Sequence, residues 1–326
     1  MNVERIILNS PPIRFFTEKS KKTILPGFDG VPLYDVMMFF KEQVRRVGLT
    51  ERASAISYNF IMSIPPSCLF LFTLIPQLPF VRRGQVKRQL HVIIRDIIPA
   101  DTYNKGIISF VDSFFKEDHI ALLSFGFLLL IFFASNGMMG LMRSFNKNYI
   151  GFEKRTGLNA RMVAIKLTIL LMGLILGCLL LLIAQSAVLK FLGIRNAAVL
   201  AFIGVFRWLF IIALIFYAIA FIYKYAPAIQ KRWKLLSPGA ILATFLSILT
   251  TVGFSIFVNN FGKYNALYGS IGTIIVLMII IYINSLVLLI GYELNVSIHS
   301  IKAMSVERQK QVHHDTSDDL ILHDRV

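Results

Sequence analysis

Four charged side chains stand where this sequence leaves little room for charge: Arg52, Arg143, Arg207 and Glu293. Arg207 falls eight residues into the apolar run 199–223, and Glu293 lies near the end of another, 271–295. A cation in hydrocarbon costs about 3 kcal/mol or more unless something polar solvates it. Such a residue acts by binding: a lipid headgroup, an anionic substrate, or a carboxylate across the bundle. Counted along helices at ~1.5 Å per residue, Arg207 sits ~12 Å below one surface and Glu293 ~33 Å below the same surface. Roughly 20 Å of depth separates them, too far for contact. The spacing therefore predicts a Glu293–Arg143 clamp at the opposite mouth, because Arg143 closes the run 120–142 on that side. Arg52 is the alternative partner. An interfacial carboxylate among headgroups is the plainer reading of Glu293, and a structural, snorkelling arginine is the plainer reading of Arg207.

Uncharged polar residues interrupt the other apolar runs. Tyr58 and Asn59 precede Pro65 and Pro66 in the run 53–75, and Asn136, Tyr268 and Tyr282 lie in or beside later ones. Proline removes a backbone donor and kinks a helix, and the freed carbonyls need neighbours or water. With Arg207, these residues are predicted to line a polar path, although interhelical hydrogen bonding is the first role expected of an asparagine such as Asn136. Gly173 and Gly177 form a Gly-x-x-x-Gly face suited to close helix packing.

Nothing comparable points to covalent chemistry. His313, His314 and Asp315 sit in a charged tail with no further ligand nearby, a weak cage for a metal. Cys68 and Cys178 each lie inside an apolar run and read as small hydrophobes. Phosphate-cradling, nucleophile-elbow and Cys-x-x-Cys motifs are missing. No cofactor, no metal and no catalytic residue is expected, and the chain does not read as an enzyme.

The elements that must carry these residues follow from composition. Of 326 residues, 56% are hydrophobic and only 16% charged, with mean hydropathy +0.67; a soluble protein carries about 25% charge. Runs of ~20 apolar residues cross a bilayer as helices. The expected fold is all-α, a polytopic membrane bundle with six transmembrane helices at about 53–75, 120–142, 162–188, 199–223, 238–258 and 271–295. Residues 1–31 read as a flexible basic arm and 32–50 as an amphipathic interfacial helix, on the membrane or packed on protein. Residues 51–298 form the membrane domain, 76–119 an external cap of two short helices, and 299–326 a charged tail, largely disordered. No signal peptide is recognised in the first 50 residues.

The net charge is +16. Of the 34 Lys and Arg, 22 fall on the side of the termini, 10 on the other and 2 within spans, which predicts an N-in, C-in topology. That balance suits anionic lipid headgroups better than any specific nucleic acid.

Three stretches also carry a resemblance: Ser-Pro-Gly-Ala at 237–240, Tyr-Gly-Ser-Ile-Gly at 268–272 and Ile-Gly-Tyr-Glu-Leu-Asn at 290–295. With Ala53, Ala55 and Tyr58, and with Ser135, Arg143, Asn146 and Tyr149, they resemble the YihY/BrkB family over roughly residues 53–297. These are bacterial inner-membrane proteins that have carried the names ribonuclease BN and virulence factor BrkB. The resemblance implies an inner-membrane location and favours the Glu293–Arg143 clamp. The expected function is transport-type or lipid-handling, on an unidentified small molecule or lipid, by binding and gating. The alternative is a non-transporting scaffold or assembly factor, and a ribonuclease is the least supported.

Overall fold

The computed structural model describes residues 11–46, 48–74, 125–146, 155, 157–191, 197–229, 232–260 and 262–323, with eight further positions between 84 and 112. Among the described residues the secondary structure is helical, apart from an isolated bridge at Ile229. The helices are α1 (Pro11–Lys22), α2 (Leu33–Arg46), α3 (Leu49–Leu74), α4 (Phe125–Ala134), α5 (Asn136–Phe145), α6 (Gly157–Phe191), α7 (Ala197–Tyr225), α8 (Pro238–Asn260) and α9 (Gly262–His323).

Four stretches among the described residues are long and apolar enough to cross a membrane: Gly157–Leu179, Trp208–Tyr225, Pro238–Phe257 and Ile275–Ser305. Only 22% to 28% of their most apolar windows is buried within the protein. Large apolar side chains such as Trp208, Phe245, Leu249 and Ile256 point outward. Burial by the protein itself cannot account for so apolar a sequence; lipid must be the solvent of those faces.

The first two expected spans differ from the other four. Helix α3 runs unbroken through Pro65 and Pro66. Its hydroxyls fold back onto the chain there, Ser63 donating to the Phe60 carbonyl at 2.7 Å and Ser67 to the Ser63 carbonyl at 2.6 Å. The expected single helix 120–142 is instead two ten-residue helices, α4 and α5, parted at Ser135. The Phe132 carbonyl accepts from Ser135 Oγ at 2.7 Å and from Arg161 Nη2 at 2.5 Å. Side chains thus claim a carbonyl that the helix would use, which is how a hydroxyl interrupts a helix.

Helices α8 and α9 form the tightest pair, with α3 packed on α5 and α9, and α6 and α7 completing the bundle. A shared core is built from Ile56, Leu141, Phe145, Tyr223, Leu289 and Tyr292, among others. The connection between α8 and α9 is short, since α8 reaches Asn260 and α9 begins at Gly262. The tail is helical through His323 rather than disordered; residues 292–323 hold neither Gly nor Pro to stop a helix.

The arm does not behave as a flexible tether over its described part. Phe28 and Val31 are buried with Val36 of α2 against Leu294 and Ile298 of α9. Asp29 and Gly27 adopt positive φ, bending the chain into that seat. Helix α2 is therefore packed on protein through Val36, while Met37 and Met38 stay exposed. Most of the connection 76–119 lies outside the described residues. The positions described there are helical, and Asp112 accepts from Lys87 at 3.1 Å and His91 at 2.6 Å. Burial alone would raise the Asp112 carboxyl, but the bonds from Lys87 and His91 hold it below its ordinary value.

Candidate functional site: a buried clamp joining three helices

Glu293 is fully buried in α9, and Arg52, near the start of α3, is 6% exposed. Arg52 Nη1 donates to Glu293 Oε1 at 2.5 Å. Its Nε and Nη2 donate to the Ser144 carbonyl at 3.0 and 2.6 Å. Ser144 is in the last turn of α5, where helical carbonyls have no partner of their own and the helix dipole presents its negative end. One guanidinium thus neutralises a buried carboxylate and caps a helix. Its planar fork makes the double duty possible.

The next residue of each partner repeats the connection. Tyr292 donates to the Phe145 carbonyl at 2.7 Å, and its ring stacks on Phe145 with centroids 3.9 Å apart. Trp233 and Tyr223 pack on Tyr292 at 5.6 and 6.4 Å, and Tyr223 donates to the Leu288 carbonyl at 2.6 Å.

The predicted Glu293–Arg143 pair is corrected: the partner is Arg52, and Arg143 is exposed. The reason is helical geometry. Eight of the ten residues of α5 are buried, and Arg143 shares with Asn136, seven residues earlier, the one narrow face that is not.

Beside the clamp, two motif stretches meet. Ser237 caps α8, its Oγ accepting from the Ala240 amide at 3.3 Å, with Pro238 in the first helical position. Asn295 Oδ1 accepts from the Gly239 amide at 2.8 Å, and its Nδ2 donates to Ser237 Oγ at 3.0 Å. Gly239 and Gly291 cross backbone to backbone: a Cβ on Gly291 would lie 2.5 Å from the Gly239 carbonyl oxygen and 2.6 Å from the Tyr223 hydroxyl.

Gly137 and Gly140 of α5 similarly admit Ser63 and Asn59 of α3. The close packing predicted at Gly173 and Gly177 is not found: among the described residues a Cβ at either meets nothing within 4 Å.

The residues predicted to line a path are dispersed. Tyr58 is 62% exposed. Asn59 packs on Gly140 and donates to the Ala55 carbonyl of its own helix at 2.7 Å. Pro65 is exposed and Pro66 half-buried. Asn136 accepts from Arg161 at 2.9 Å, joining α5 to α6. Tyr282 is half-buried against the core. The side chains of Arg207 and Tyr268 lie outside the described residues.

Sequence reasoning missed Arg161 and Arg155. Arg161 also covers the Phe132 ring at 3.6 Å. Arg155 donates to the carbonyls of Tyr225, Ala226 and Pro227, capping the end of α7. The available signal was a pair of arginines just before an apolar run, facing carbonyl-rich ends. Among the described residues, no three His, Cys, Asp or Glu gather as a metal site.

A family model described as virulence factor BrkB matches residues 40–316, a span that includes both ends of the clamp. The ribonuclease-like protein YfkH of Bacillus subtilis is 30% identical over 277 residues, 83% of this chain and 98% of that one. A UPF0761 membrane protein of Aliivibrio salmonicida is 25% identical over 272 residues, 81% of this chain and 83% of its own. Another, from Pseudoalteromonas translucida, is 35% identical over 77 residues, 24% of this chain and 26% of its own. No solved structure matches.

Proposed function

The chain belongs to the virulence factor BrkB family of membrane proteins, and from that premise we propose that it is a multi-pass protein of the bacterial inner membrane that handles a lipid or small molecule by binding and gating. In this reading α3 and the broken α4–α5 complete six spans, with both termini inside. The observation that carries it is the buried Arg52–Glu293–Ser144 junction, which ties α3, α5 and α9 at one end of the bundle. A neutral apolar contact would hold the helices at no desolvation cost. A charged junction can be opened by competing charge or water, which suits a gate.

Cysteine labelling tests this. Single cysteines replace Asn136 and Tyr282 in a protein whose Cys68 and Cys178 are alanine. A membrane-impermeant maleimide should label them slowly, and faster once Glu293→Gln weakens the clamp. Labelling that stays absent from both sides, in both backgrounds, removes the gate and leaves an anchored bundle. The ribonuclease-like name of the Bacillus subtilis relative offers a separate reading, which the same purified protein addresses: it should leave RNA intact with magnesium or manganese present.

A further inference from the structure

A cavity of about 260 Å³ opens where the arm, the 232–237 loop and α9 come together. Three cations line it, Arg232, Lys234 and Lys302, against a single carboxylate, Asp29. Lys302 Nζ lies 3.1 Å from Asp29 Oδ2, and both side chains are nearly half exposed. Among the described residues, neither Arg232 nor Lys234 has a carboxylate partner, although Arg232 rests over the Tyr225 ring at 5.2 Å. The amides that open α8 contribute little, because Gly239 and Ala240 are already satisfied by Asn295 and Ser237. Trp233 and Leu236 supply apolar wall.

From this surplus of positive charge around a half-open cavity, we infer that it binds a phosphate-bearing ligand, in competition with Asp29 for Lys302. Arg232, Lys234 and Lys302 are the donors, since planar guanidinium and point-charge ammonium groups are the usual partners of phosphate oxygens. The cavity adjoins the first turn of an apolar helix, so the phosphate can arrive on a lipid or in solution. The site stands whether or not the clamp is a gate.

The test uses full-length protein with Trp208→Phe, which leaves Trp233 as the sole tryptophan of the two. The protein is placed in nanodiscs of phosphatidylcholine, into which inorganic phosphate is titrated, and separately in nanodiscs containing phosphatidylglycerol. Trp233 emission should shift saturably. A response to phosphatidylglycerol alone identifies a lipid headgroup; a response to phosphate identifies a soluble ligand. Arg232→Gln with Lys302→Gln should weaken the apparent affinity about tenfold, whereas Asp29→Asn should strengthen it. These are exposed positions, and unchanged circular dichroism will show that the fold survives. No saturable shift in either arm, or an unchanged response in the Arg232→Gln, Lys302→Gln protein, overturns the site.

Discussion

Arg52 serves two acceptors with one guanidinium, and that sets the cost of losing it. Arg52→Ala takes the cation from a fully buried carboxylate and uncaps α5 at once, and removing one partner of a buried pair costs about 3–5 kcal/mol. Arg143→Ala, one residue from the same junction but exposed, should cost within about 0.5 kcal/mol. Thermal unfolding of the purified protein in detergent should separate the two clearly; equal losses would show that the buried pair is not what holds α3, α5 and α9. Replacing both Arg52 and Glu293 by apolar residues should recover much of the loss, because no uncompensated carboxylate charge is then buried there. The charge pair was legible only as a set of candidates. Sequence depth places Glu293, Arg143 and Arg52 at one end, but which arginine turns inward depends on the rotation of α5.

At the scale of elements, the structure is held by crossings where glycine lets backbones touch. Gly291→Ala would drive a Cβ into the Gly239 carbonyl and the Tyr223 hydroxyl. Both lie on rigid elements, so the strain should cost about 1–3 kcal/mol. Gly173→Ala and Gly177→Ala meet open space among the described residues and should be neutral or gain about 0.5–1 kcal/mol of helix preference. The fraction folded after titration with a denaturing detergent measures the contrast, and a Gly291→Ala protein as robust as Gly173→Ala would refute the crossing. Here the sequence misleads in an instructive way. Gly173 and Gly177 display the local four-residue spacing of a packing motif, while Gly239 and Gly291 lie on separate helices with no such spacing. Their pairing is a property of how α8 and α9 lie together, not of either helix.

For the whole molecule, the placement of charge predicts an orientation. In that prediction the segments around Arg155 and Lys231 fall on the basic side with the termini, and Lys263 on the sparse side. Alkaline phosphatase fused after Lys263 should be active in cells, and fused after Arg155 or Lys231 inactive. Activity at Arg155 would reverse the orientation. The same arrangement places the cationic cavity and the buried clamp at one end of the molecule, joined through Trp233, which lines the first and packs on Tyr292 of the second.

Composition and periodicity alone determined that this is a helical membrane protein. The excess of apolar residues cannot be buried by a chain of this length, and a backbone in lipid must satisfy itself as helix. The last four apolar runs follow from the same arithmetic, each one long enough to span although Lys166, Arg207 and Glu293 fall inside three of them. Tertiary structure decided the rest. It parted the run 120–142 at Ser135, where Arg161 reaches the Phe132 carbonyl from another helix. It drew Phe28 of the arm into the α9 groove, and it chose Arg52 over Arg143. Each of these turns on a partner more than twenty residues away in sequence. Local pattern records how far a segment is apolar and on which face, whereas the partner of a buried polar group is specified only when distant helices meet.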